Sequence, residues 1–281
     1  MADKENHDVI NTLKNLGIKA LKSINREIVA KERLVSLEFC EKKLDLLKEF
    51  ANQEVDQKIL SDVIKLYLNH SSQSQLMQDI LSVHFNKSNP NEFEDFFVEF
   101  GATDGKTLSN TFVLEKEFAW KGILAEPARM WHETLLTNRK SHIDRRAVWE
   151  FSGEKMPFVE NEVGELSSIL DNAESKGSNP RRGSQYIVET ISLNDLLRFY
   201  NAPKNIGYLS VDTEGNEHQI LRSLNFGNYK FGFINVEHNY SSDRENIYKL
   251  LSENGYTRIL IEFSKWDDFY IPVEHPLVKY F

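Results

Sequence analysis

From Phe93 to Pro272, short apolar segments alternate with helical ones, and several of the apolar segments run into an acid. FFVEFGA, carrying Glu99, reads as a strand, and LSNTFVLEKEFAW as the helix after it. KGILAEP is the next strand, closed by Glu126 and Pro127; ARMWHETLLTNR is helical, and HIDRRAVW returns as a strand. Residues 151–190, with Gly153, Gly164, Gly177, Pro180 and Gly183, read as an irregular insertion with a few short strands. SLNDLLRFY is a helix with Ser192 as its N-cap. IGYLSVDTEG and FGFINVEHN are strands, each followed by a helix, the second of which Gly255 stops. YTRILIEF and WDDFYIPV close the series as a hairpin. Strands alternating with helices predict an α/β fold around a mostly parallel sheet, with the last pair adding an antiparallel strand at its edge.

Residues 1–72 have a different texture, and we read them as an N-terminal α-helical region preceding a domain at 73–281. They hold no proline, and Ile10, Leu13, Gly17, Leu21, Ile24 and Ile28 recur at three- and four-residue steps. Leu37, Cys40, Leu44 and Leu47 repeat the pattern in a new phase, and Val55, Ile59, Val63 and Tyr67 mark a shorter helix. No heptad register is sustained, so these helices are expected to pack on the main domain or on a second copy, giving a homo-oligomer, rather than form a long coiled coil. The net charge of −9 without a basic block disfavours nucleic acid as a partner. The single cysteine fits a reducing compartment. No apolar run approaches the roughly 20 residues that span a bilayer, and the first residues lack a secretory pattern, so a cytoplasmic protein is expected.

In open parallel sheets ligands bind beyond the carboxyl ends of the strands. After the first strand stand Glu99, Gly101, Asp104 and Gly105. A diphosphate loop needs G-x-G-x-x-G, and a P-loop ends in G-K-[ST]; this loop has neither, and its acids suit a cationic ligand. Glu126 ends the second strand about twenty residues on, where an acid can accept from both hydroxyls of a ribose. Together these residues favour a positively charged adenosine, S-adenosylmethionine. Val148 or Trp149, near the third strand, offers an apolar wall for the base. In SVDTEGNE, Asp212 sits at the end of an apolar strand and needs a partner, whereas some of Glu214 and Glu217 are helix-start acids. In NVEHN, alternation puts Glu237 and His238 on opposite faces, so they cannot share one role. His238 has the intrinsic pKa of a general base near neutrality. Asp212, Glu214, Glu237 and His238 include divalent-metal ligand types, but no H-E-x-x-H or paired-cysteine motif is present, and no metal is expected.

The runs SQLMQD, FVEFGATDGKTLSNT, KGILAEP, YLSVDTEGNEHQIL and INVEHN, in that order between Ser74 and Pro272, resemble the FkbM family of S-adenosylmethionine-dependent methyltransferases. The resemblance implies a Rossmann-like class I methyltransferase fold and O-methylation of a hydroxyl, commonly on a glycan sugar or a polyketide-type product. It implies a cofactor loop of Glu99, Gly101 and Gly105 with Asp104 and Thr107–Asn110 beside it. It places the ribose on Glu126, and Asp212 and Glu214 beside the methionine end and the acceptor. Gln78 and Asp79 would fold over the site. The expected reaction is in-line displacement, an acceptor hydroxyl attacking the sulfonium methyl as a base, His238 before Asp212, takes its proton. The acceptor is a small molecule or glycan, and Arg181 and Arg182 in the insertion are candidates to hold an anionic sugar. The rival reading is an inactive methyltransferase fold serving as a scaffold through its N-terminal helices.

Overall fold

The computed structural model describes Ser82, Phe85, Asn86, Asn89 and residues 92–280 apart from 163, 171–182, 262, 263 and 265. The expected N-terminal helices, Gln78, Asp79, Arg181 and Arg182 lie outside the described residues.

Strand β1 (Glu94–Phe100) is apolar on both faces, with Phe97, Val98 and Phe100 buried, and this is the pattern of a strand at the centre of a parallel sheet. It pairs in parallel with β2 (Lys121–Ala125) on one side and β8 (Asn205–Val211) on the other. β3 (His142–Asp144) extends the sheet beyond β2, and β9 (Lys230–Glu237) extends it beyond β8. The hairpin of β10 (Tyr256–Ile259) and β11 (Asp267–Pro272) completes seven strands in the order β10-β11-β9-β8-β1-β2-β3. The antiparallel strand expected at the edge lies one place further in. β11 runs antiparallel between β9 and β10, so β10 forms the edge.

Helices α1 (Phe112–Phe118), α2 (His132–Asn138), α3 (Leu193–Phe199), α4 (Glu217–Ser223) and α5 (Arg244–Glu253) connect the strands. Ser192 caps α3 as its sequence predicts, its hydroxyl accepting from the Asp195 N–H at 3.2 Å. Leu196, Leu197, Ile220, Leu221, Ile247 and Leu251 from α3–α5 pack on Val98, Leu209, Val211 and Ile234 of the sheet. Elsewhere in the interior the rings of Phe85, Tyr208 and Phe269 stack about Phe233 at 5.3–6.0 Å.

Two readings of the chain between 142 and 192 change. HIDRRAVW is not one strand, because Arg146 folds back to pair with Asp144 through two contacts of 3.0 and 2.6 Å. The chain leaves the main sheet there, and β4 (Ala147–Trp149) joins a second one. The insertion, expected to be irregular with a few short strands, does hold strands, and they are ordered into the rest of that sheet: β5 (Lys155–Asn161), β6 (Ser168–Ile169) and β7 (Gly183–Ser192), in the order β4-β7-β5-β6. Its small core gathers Ala147, Trp149, Phe158, Ile169 and Val188.

The loop after β1 is fixed by one arginine. Arg139, 3% exposed just past α2, meets Glu115 at 3.1 Å and Glu99 at 3.6 Å. It also donates to the Gly105 carbonyl at 3.2 Å, Ser109 Oγ at 3.0 Å and Thr111 Oγ1 at 2.9 Å. Removing it leaves Glu99 and Glu115 without the buried guanidinium that offsets their charge and takes a donor from Gly105, Ser109 and Thr111. We expect Arg139→Met to cost about 3–5 kcal/mol in denaturant unfolding, whereas Arg198→Met, at an exposed pair, should change stability by less than about 1 kcal/mol. Equal small effects would show that the loop does not depend on this clamp.

Candidate active site

Five adjacent parallel strands carry an acid at or next to their carboxyl ends: Glu99, Glu126, Asp144, Asp212 and Glu237. Two are matched by arginines, Glu99 by Arg139 and Asp144 by Arg146. The other three have no basic side chain at ion-pair distance among the described residues, and all three line one cleft. Its wall comprises residues of the strand ends (Phe100, Gly101, Ala125, Val148, Thr213) and of the second sheet (Phe158, Ser168, Ile169). Glu165 and Glu214 bring the acids to five, and no lysine, arginine or histidine lines the cleft among the described residues.

Glu126 is held by its backbone surroundings. Its Oε2 accepts from Thr103 N–H and its Oε1 from Ala128 N–H, both at 2.8 Å. Burial raises its pKa more than these donors lower it, to about 7. Each oxygen keeps a lone pair for a further donor. The loop beside it turns on left-handed residues, Gly101 at φ 68°, Thr103 at 46° and Gly105 at 74°. A Cβ on Gly101 would stand 2.4 Å from the Asp212 carbonyl oxygen, so glycine is what lets β1 and β8 approach at the cleft floor.

Asp212 and Glu237 face each other across that floor and are hydrogen-bonded. Burial raises both pKa values, and each carboxyl, with Glu214 close by, raises the other further; Glu237 reaches about 11. Two full charges about 4 Å apart repel by about 4 kcal/mol at an effective dielectric near 20. The pair therefore holds a proton between its two carboxyls more tightly than either would alone. Glu214 sits next to them in the left-handed region at φ 59°, a conformation unusual for glutamate and frequent at functional sites. Glu217 serves the fold instead. Its Oε1 accepts from Thr213 N–H, Thr213 Oγ1 and Gly215 N–H, closing the turn before α4.

Of the residues singled out in the sequence, Gly101, Glu126, Val148, Asp212 and Glu214 meet at the cleft. Trp149 packs in the small core of the second sheet instead. Glu99, Asp104, Gly105 and Asn110 do not line the cleft; they build the loop that borders it. Glu99 accepts from Asn110 N–H at 2.6 Å and from the hydroxyls of Ser109 and Thr111, and burial keeps its pKa raised despite Arg139. Asp104 accepts from Lys106 N–H and Thr107 N–H, and a Cβ on Gly105 would strike Leu135 and Arg139. Asn110 donates to Ser210 Oγ at 2.9 Å.

His238, the expected base, lies outside the cleft. Its Nδ1 accepts from Tyr240 N–H and its Nε2 reaches Ser264 Oγ, both at 3.0 Å, so neither nitrogen is available to an acceptor. Burial lowers its pKa, and Asp268, which Arg244 pairs with at 2.7 Å, does not reverse that. The alternation argument holds, but the member of the pair in the cleft is Glu237. The apolar run FGFINV before it was the available signal, the same one that marked Asp212.

The fold is an α/β fold around a mostly parallel sheet, with an acid-lined cleft at the carboxyl edge where open sheets of this kind bind ligands. The chain belongs to the FkbM methyltransferase family: the methyltransferase FkbM domain matches residues 99–258, from the acid of β1 to β10. Methyl transfer is the chemistry of that domain. Among solved structures, the precorrin-6y C5,15-methyltransferase of Geobacter metallireducens GS-15 aligns with 68% of this chain and 85% of its own, at 9% identity and a TM-score of 0.33. A likeness of that size carries no argument. No curated protein matches the chain. No described helix is long and apolar enough to cross a membrane.

Glu126 also links the site to pH. An ordinary unfolded carboxyl titrates near 4.5 and the folded one near 7, so between these values the folded chain holds the extra proton. Stability from this group is therefore greatest below pH 4.5 and is lost as pH rises to about 7. Glu126→Gln should flatten the fall in unfolding free energy between pH 5 and 7 relative to wild type; parallel profiles would contradict the assignment.

Proposed function

We propose that this chain is an S-adenosylmethionine-dependent O-methyltransferase acting on a hydroxyl of a sugar or glycan. The observation that carries the reading is a cleft with five acids and no basic residue among the described residues, in a chain of the FkbM methyltransferase family. Such a lining repels a diphosphate and attracts a cation. When bound, the cofactor supplies an electrophilic methyl group on a sulfonium sulfur. Glu126 would hold the ribose, each of its oxygens already fixed by one backbone donor and open to one hydroxyl. Val148 offers the base an apolar wall, and Gly101 keeps the floor open.

The residues placed to handle the acceptor are Asp212 and Glu237. Asp212 receives the hydroxyl proton, with Glu237 hydrogen-bonded behind it to fix the carboxylate and spread its charge. Alignment supplies most of the rate in such a scheme, and proton removal about 10²–10⁴-fold. Phe158 and residues 164–169 from the second sheet stand across the cleft, where an acceptor ring would lie.

Isotopically labelled S-adenosylmethionine incubated with the full chain and an extract of its host should label a saccharide through an alkali-stable ether. Label on protein carboxyls or on nucleic acid, or none, would overturn the substrate class. Asp212→Asn should lower turnover about 10²–10⁴-fold with cofactor binding retained. His238→Ala should instead lose about 1–3 kcal/mol of stability by orphaning its partners, with turnover per folded molecule kept. The reverse pattern would restore His238 as the base.

A further inference from the structure

The cleft floor holds more acid than one sulfonium accounts for. One carboxylate oxygen from each of Asp212, Glu214 and Glu237 lies within 4.8 Å of the others. Oxygens on one hard divalent ion stand about 3 Å apart when cis and about 4–4.5 Å when trans, so small side-chain rotations would bring all three onto one ion. An independent feature points to a ligand. Glu237 is 9% exposed and lines the cleft, yet its Oε2 is fully buried and receives no hydrogen bond from any backbone N–H, amide, hydroxyl or basic side chain among the described residues. A buried carboxylate oxygen without a donor is costly unless something positive fills the place. Glu214 is held in a left-handed conformation beside it, at the tight turn before α4.

We propose that Asp212, Glu214 and Glu237 form a binding site for a hard divalent cation of the Mg²⁺ or Mn²⁺ class. All three donors are carboxylate oxygens, which select such ions over the softer ones that prefer imidazole or thiolate. The cation bridges the three carboxyls and covers Glu237 Oε2. Three protein ligands leave the remaining positions to water and to oxygens of the acceptor, so a polyol with neighbouring hydroxyls is the substrate type that fits. The assignment deepens the methyl-transfer reading and rests on it only for that last step, since the ion site itself is built from the chain alone.

The test is calorimetric titration of Mn²⁺ into the full chain, without cofactor or acceptor, together with thermal melting at matched Mn²⁺. Saturable binding of one Mn²⁺ per chain below about 1 mM is expected, with a rise in melting temperature. Glu237→Gln and Glu214→Gln should each weaken binding at least about tenfold. Glu237→Gln keeps the size of the side chain and an amide that can donate to Asp212 in place of the shared proton, so its metal-free melting temperature should not fall. Glu214, at a half-buried position, provides a second variant, and the metal-free melting temperature of each variant reports its folding separately from its metal affinity. Glu253→Gln, at an exposed position on α5, should bind as wild type does. Absence of saturable binding, or unchanged affinity in either cleft variant, would overturn the site. Loss of S-adenosylmethionine binding with Mn²⁺ binding intact would count against the methyl-transfer reading instead.

Discussion

A parallel sheet that ends several neighbouring strands in buried carboxylates must neutralise each of them, and the means differ along this one edge. Glu99 and Asp144 are matched by Arg139 and Arg146, and both arginines also bend or fasten the chain beside them. Glu126 relies on two backbone N–H groups, and Asp212 and Glu237 on each other. An acid with its own arginine is finished by the fold. An acid left with backbone donors or a second acid is open to a ligand, and the one we propose brings positive charge. The division between scaffold and site follows from that distinction rather than from position in the sequence, since all five acids end strands.

The second sheet gives the edge its other wall. Arg146 turns the chain out of the main sheet, β4 pairs with β7, and β5 and β6 then face the strand ends. Phe158, Ser168 and Ile169 thereby enclose a cleft that the seven-stranded sheet alone would leave open. Methyl transfer needs water kept from the reacting atoms and an acceptor held in line, and a wall of this kind serves both needs.

Much of this was legible from the residues. Alternating strands and helices gave the sheet, and Glu126 and Asp212 stood out as acids closing apolar runs. What was not legible has physical reasons. GSQYIVETIS is half exposed, and Gly183 at its start masks a ten-residue strand that draws its stability from pairing with β5. Arg139 lies some forty residues from Glu99, so no local pattern shows that Glu99, Asp104 and Asn110 would be consumed in holding the loop. Choosing His238 over Glu237 weighed intrinsic pKa, which the surroundings of both residues override: His238 is locked by Tyr240 and Ser264, and Glu237 is raised by Asp212.

The central claim is that the arginine-free acids bind a positively charged adenosine. Calorimetric titration of S-adenosylmethionine into wild type and Glu126→Ala tests it most directly. The account predicts saturable one-to-one binding by wild type and at least about tenfold weaker binding by the variant, the loss expected when two hydrogen bonds to a charged group disappear. No heat and no thermal shift with wild type, or equal affinity in the two proteins, would contradict it and favour a scaffold built on the same fold.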